Sequence, residues 1–197
     1  MQPIGREADN ERATTSSHHR DRNHRAASVR GWNGRLTPSR KTDMQTFLPY
    51  ADFTKTAECL DNRRLGKQRV EAKQILIALG VTVGNHKGNA ASRWRHHPAV
   101  MMWQGNEAAL CVYAVDICNE WTRRGYRDSL MTQFLDSYME LRDRMNGPIQ
   151  YPAWLGIEGV HSSHRSNLLR KDPVWYGQFG WSEAPDQEYL WPAGLQR

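Results

Sequence analysis

The chain has 197 residues, a formal net charge of +6 and 39% hydrophobic residues, enough for one folded domain with some excess. Its longest apolar runs are a few residues, far short of the ~20 that cross a bilayer. The N-terminal stretch has no apolar core of a secretory signal. These features set aside the membrane-spanning and exported classes. Three cysteines, Cys59, Cys111 and Cys118, form no CxxC pair and read as reduced, buried thiols of an intracellular protein. The charge is uneven. Residues 1–43 hold 9 Lys+Arg against 5 Asp+Glu, and residues 44–197 hold 18 against 16. A nucleic-acid reading must therefore rest on local clustering in the body of the chain.

Residues 1–43 are rich in Ser, Thr, Asn, Arg and His without apolar periodicity, which predicts a disordered basic tail. Composition changes at "MQTFLPY", so the folded domain is expected over 44–197, with Met44 a candidate translation start. Asp52 or Thr54 can cap a short helix ending near Leu60. The next helix is expected from about Asn62 to Leu79, with Leu65, Ala72, Ile75, Leu76 and Leu79 on its apolar side. "GVTVGNHKGNAAS" reads as a loop. Pro98 suits a first helical turn, and an apolar-rich helical segment is expected from there to about Arg123. "RRGY" stops it, with cations in the last turn and then Gly. Further helices are expected over 128–145 and 161–171. No stretch alternates cleanly, so the expected class is all-α: a compact, single-domain helical fold.

The densest chemical signal is "LDNRRLGKQRVEAKQIL", residues 60–76. Five cations (Arg63, Arg64, Lys67, Arg69, Lys73) surround two carboxylates. Asp61 stands where a helix N-terminus favours negative charge. Glu71 lies at the border of the apolar and basic faces, with Arg64, Lys67, Gln68, Gln74 and Ile75 as helix neighbours. It is either a surface ion-pair partner of Lys67 or a carboxylate held in a phosphate-seeking surface, where a bare Glu would oppose simple DNA binding.

A second cluster, "HSSHRSNLLRKDPVWYGQFGW", sets His161, His164, Arg165, Arg170 and Lys171 before Trp175, Tyr176, Phe179 and Trp181. The cations suit phosphates, and the aromatics suit either unpaired bases or a core. His161-x-x-His164 has metal-ligand spacing, but no HExxH, CxxC or nearby carboxylate completes a site, so no metal is expected. A nuclease using these two histidines is a third, weaker reading. In "RWRHHPAVMMW", Arg93, Arg95, His96 and His97 form either a phosphate-binding loop before a helix or a solvated one.

The order of these motifs from Met44 onward resembles the pyrimidine-dimer DNA glycosylase/AP lyase family, the endonuclease V type of phage repair enzymes. "LDNRRLGKQRVE" sits where that family has an early helix ending in its catalytic Glu, at the same Leu-to-Glu spacing. "EWTRRGYRDS" resembles its central-helix ending, and "RKDPVWYGQFG" its C-terminal Pro-x-Trp-Tyr segment. The resemblance covers most of 44–181. It implies that an N-terminal α-amine attacks C1′ of the damaged nucleotide and that Glu71 is the catalytic carboxylate. By the same carry-over Met44 supplies the amine, and Arg64, Lys67 and Arg69 contact phosphate and lesion. His164, Arg165, Arg170 and Lys171 would form a second DNA clamp. Three departures from the family pattern stand out. The family nucleophile is an N-terminal Thr, Arg64 replaces a His, and Val70 replaces a basic residue.

The reading so reached is a DNA-repair enzyme that excises a damaged pyrimidine from double-stranded DNA. AP lyase nicking by β-elimination is left open as an addition. Neither cofactor nor metal is expected, and the chain is expected to be monomeric and cytoplasmic, near the nucleoid. The rival is a non-catalytic nucleic-acid-binding module of the same fold.

Overall fold

The computed structural model describes residues 35–38 and 44–193. Its helices are α1 (Phe53–Cys59), α2 (Asn62–Ala78), α3 (Pro98–Met101), α4 (Glu107–Arg123), α5 (Met131–Asp143), α6 (Glu158–Lys171) and α7 (Pro173–Tyr176). Two short strands, β1 (Arg35–Pro38) and β2 (Leu190–Ala193), pair antiparallel with Arg35 opposite Ala193. The fold is helical, as the sequence implies, with this one ribbon added. β1 lies inside the segment read as a tail. The rest of that segment, and residues 194–197, lie outside the described residues. Among the described residues no helix is long and apolar enough to cross a membrane.

α4 is the central helix and packs against α1, α2 and α5. Its residues Leu110, Tyr113, Ala114, Ile117 and Cys118 are fully buried, a stripe at helical spacing that the neighbours cover. α2 approaches α4 closely at Gly66, where an added Cβ would sit 3.0 Å from the Trp121 ring. Glycine admits that approach at a cost in helix propensity. The expected helix from Pro98 to Arg123 is broken in two. Met102 and Trp103 turn into the core, and Gly105 has φ +79, a conformation that L side chains rarely adopt. The break seats the Trp103 indole, whose Nε1 donates to Thr46 Oγ1 at 3.0 Å.

The cap at the start of α2 joins distant parts of the chain. Asp61 Oδ1 accepts the Arg64 backbone N–H at 3.1 Å. Asp61 Oδ2 accepts from Arg64 Nη1 at 2.6 Å and from the Tyr176 hydroxyl at 2.6 Å. Tyr176, fully buried on α7, thus ties the C-terminal aromatic segment to the first turn of α2. Burial pushes the Asp61 carboxyl up, but the Tyr176 hydroxyl and Arg64 outweigh it and hold the group below its usual range. The aromatics after α6 are core and cap residues. Tyr176 stacks on Trp181 at 5.7 Å, and Trp175 Nε1 donates to the Cys59 carbonyl at 2.9 Å.

Asp61→Asn keeps a capping side chain but removes the charge facing Arg64 and Tyr176. It is expected to cost about 2 kcal/mol at pH 7. Because the folded carboxyl is depressed, its contribution is present above the unfolded value near ~3.9 and lost as pH falls through the folded one. Urea denaturation should show the wild-type advantage at pH 7 and its progressive loss as pH falls below the unfolded carboxyl value near ~3.9.

Candidate active site

Glu71 is 4% exposed, so its ion pair with Lys67 is made by a buried carboxylate. Its helix places it against the extended segment Met44–Leu48, which is itself buried. The Gln45 backbone N–H donates to the carboxylate. Gln68, one turn earlier on α2, donates from Nε2 to Glu71 Oε2 at 2.5 Å. Lys67 Nζ stands 3.2 Å from Oε1. Burial raises the Glu71 pKa above the usual carboxylate value, and the Lys67 charge and the bonds from Lys67, Gln45 and Gln68 only partly offset it.

The four hydrogen-bonding positions of the Gln68 amide are all engaged. Nε2 donates to Glu71 and to the Gln45 carbonyl at 3.0 Å. Oε1 accepts from the Phe47 backbone N–H at 2.9 Å and from the Tyr113 hydroxyl at 2.7 Å. The Tyr113 hydroxyl, on α4, also lies 3.0 Å from the Phe47 carbonyl, so its single proton is shared between the two acceptors. The main chain at 45–47 is therefore threaded along one buried amide. Successive residues rise about 3.3–3.6 Å, so the Met44 nitrogen lies one residue from the Glu71 carboxylate. The Gln45 side chain is held in turn, with its Nε2 3.2 Å from His164 Nδ1. His161 bonds the Leu48 carbonyl through Nδ1 at 2.7 Å and accepts the Gly156 N–H on Nε2 at 3.0 Å.

The other candidate residues divide into those at this site and those elsewhere. Lys171 has its pKa lowered by partial desolvation and by the charges of Arg64, Arg170 and Lys67, against the pull of Glu71. That coupling brings the end of α6 to the basic face of α2. Arg170 and Lys171 are exposed there. Arg64 is beside them but committed: its guanidinium bonds Asp61, lies 3.9 Å from Asp172 and faces the Tyr176 ring at 5.6 Å.

Three of the expected DNA contacts are engaged inside the fold. His164 is fully buried, and burial together with His161 lowers its pKa to about 3, so it is a neutral bracket for Gln45. Arg165 is ion-paired to Glu158 and to Glu183 and donates to the Pro49 carbonyl at 2.9 Å, so it ties α6 to the entering chain. Arg69 pairs with the buried Asp128 carboxylate and lies 4.8 Å from the centre of the Trp121 ring. The two arginines have their charges satisfied inside the fold, and the buried imidazole carries none. The sequence reading missed Gln68, Gln45 and Tyr113. The one available signal was Gln68 at three residues before Glu71 on the same face. Among the described residues no three His, Cys, Asp or Glu side chains converge to hold a metal ion.

This arrangement combines a buried carboxylate of raised pKa, a backbone segment pinned against it and a cationic rim. It can stabilise positive charge developing on an incoming group while the rim holds phosphates. Residues 44–134 match the family model described as pyrimidine dimer DNA glycosylase. The matched span holds Met44, Gln68, Glu71 and Tyr113. No curated protein and no solved structure matches the chain significantly.

Gln68→Leu is close to isosteric and strands the Phe47 N–H, the Gln45 carbonyl and one bond to Glu71. It is expected to cost about 3 kcal/mol in urea denaturation at pH 7. The Glu71 carboxyl, losing a donor, should titrate higher than in the wild type. Carboxyl carbon NMR reads that shift directly.

Proposed function

We propose, from the match of residues 44–134 to the pyrimidine dimer DNA glycosylase family model, that this chain is a DNA repair glycosylase acting on a damaged pyrimidine in duplex DNA. The observation that carries the reading is the buried Glu71 carboxylate bonded by the Gln45 backbone N–H. It puts an anion one residue from the Met44 nitrogen, inside the family span.

The chemistry follows from that pairing. An amine attacks C1′ as the N-glycosidic bond breaks and its electrons leave with the base, which takes up a proton. The sugar passes through a cationic state that the Glu71 carboxylate stabilises. Ring opening then gives an imine between the amine and C1′. If Glu71 or a water it orients removes a C2′ proton, the 3′ phosphate leaves and the strand is nicked. This second step is the AP lyase activity. In a kinked duplex with the nucleotide turned outward, Lys67, Arg170 and Lys171 suit the backbone phosphates.

Two amines compete for the first step. In the full chain the Met44 nitrogen is a peptide amide and cannot attack. A form beginning at Met44 would present an α-amine with a pKa of ~7.7–8.0, partly neutral near pH 7. Lys67 Nζ, 3.2 Å from Glu71, is the second. Borohydride trapping on abasic DNA separates them. The form beginning at Met44 should give a covalent adduct that survives Lys67→Ala, and the full chain should give none. An adduct from both forms that vanishes with Lys67→Ala assigns the lysine. No adduct from either form leaves the DNA-binding module as the better reading.

Glu71→Gln should lower base release by roughly 10²–10⁴-fold with DNA affinity unchanged or higher, since a negative charge is removed from a phosphate-binding face. The wild-type acid limb should follow the raised Glu71 pKa. Activity is lost as pH falls through a value above the ~4.3 of an ordinary Glu. The pH profile of kcat/KM measures this limb, which should be absent from the residual activity of Glu71→Gln.

A further inference from the structure

The 3-10 turn Arg93–His96 takes no part in the site just described. No Asp or Glu occurs between Glu71 and Glu107, a span that contains Lys73, Lys87, Arg93 and Arg95. Arg64, Arg69, Arg123, Arg124, Arg144 and Arg165 are each held by a carboxylate. Among the described residues Arg93 and Arg95 have no such partner. Both are exposed, as is His96, and Trp94 between them is 52% exposed.

The turn is nevertheless held in place. Ser92 Oγ accepts the Trp94 backbone N–H at 3.2 Å, and the Arg95 N–H bonds the Ser92 carbonyl at 3.0 Å. His97 closes the turn, its Nδ1 accepting the Ala99 N–H at 3.2 Å at the start of α3. The loop is anchored to α2 by Asn89 N–H on the Ile77 carbonyl at 2.7 Å, and the turn packs against α2. α2 ends seven residues beyond Glu71, roughly 10 Å along the axis. A DNA duplex seated on the Glu71 face is wide enough to reach both.

We propose that this turn is a second DNA contact: the Trp94 indole stacks on a base that has left the helix stack, and Arg93 and Arg95 take the flanking phosphates. The inference rests on the DNA reading above. A paired base offers its π-face to its neighbours in the stack, while an unpaired one offers it to an aromatic side chain. A rigidly seated, half-exposed Trp between two carboxylate-free arginines is suited to the second situation. A fully paired duplex would meet only the arginines.

The test uses the full chain and two duplexes of equal length, one fully paired and one carrying a tetrahydrofuran abasic analogue opposite 2-aminopurine. The analogue has no base to release and cannot form an imine, so binding is read without turnover. Trp94→Ala is expected to weaken binding of the abasic-analogue duplex roughly tenfold and of the paired duplex less than twofold, with the 2-aminopurine emission brighter than in the wild-type complex. Trp94→Phe should restore most of the difference. Arg93→Ala and Arg95→Ala should weaken both duplexes alike and each lower the slope of log K against log salt by roughly one. Equal losses on the two duplexes for Trp94→Ala, or none on either, overturn the stacking role while leaving the glycosylase reading intact. If the unmodified chain binds neither duplex, the DNA reading fails and takes this inference with it.

Discussion

The side-chain amide of Gln68 is the interaction on which the rest of the site depends. A primary amide offers two donors and an acceptor oxygen with two lone pairs, and here each is used in a different direction. One donor fixes the Glu71 carboxylate and the other the Gln45 carbonyl, while the oxygen receives Phe47 and Tyr113. α2, α4 and the incoming segment are thereby locked to one another through a single planar group. A buried amide so satisfied costs little, whereas one with a missing partner would cost about 1–3 kcal/mol for each stranded group. Loss of any one partner therefore strands another buried group, which couples the geometry around Glu71 to the core beneath it.

The same lock explains why Glu71 can be buried. Removing a carboxylate from water is expensive unless it is bonded and paired. Three donors from three different sources meet this one, but burial still wins, so the group is held above its ordinary pKa. A carboxylate in that state is a more willing proton acceptor than one on the surface. The cations nearby differ in kind. Arg64, Arg69 and Arg165 are absorbed by internal carboxylates. Arg170 and Lys171 remain exposed at the surface.

How much of this could be read beforehand follows from which forces act locally. Helix ends were legible wherever a cap or a breaker marks them: Asp52 and Asp61 at the starts of α1 and α2, Pro98 at α3, and the Gly125 stop after α4. The split between α3 and α4 was not legible, because Trp103 turns inward for a partner, Thr46, that lies 57 positions away. Glu71 could be singled out because a lone carboxylate among cations is unusual in composition. Its burial could not, since the covering segment at 44–48 is contributed by sequence outside the helix. Gln68 carries no charge, so its one signal was its place three residues before Glu71 on the same helix face. His164 and Arg165 had the residue types of DNA contacts, but residue type does not say whether a charge is spent on a protein carboxylate or suppressed by burial. That depends on Glu183, Glu158 and Gln45, all placed by tertiary packing.

The β1–β2 ribbon bears on any form of the chain that starts at Met44. β2 pairs only with β1 among the described residues, so loss of the upstream segment would strip β2 of its neighbour. Its row of backbone N–H and C=O groups would become an open edge, a template on which another strand can align. Pro192, in the middle of β2, has no N–H to offer, so any replacement ladder would be interrupted at its centre. The missing donor thus leaves the bared edge a poorer template for a second chain.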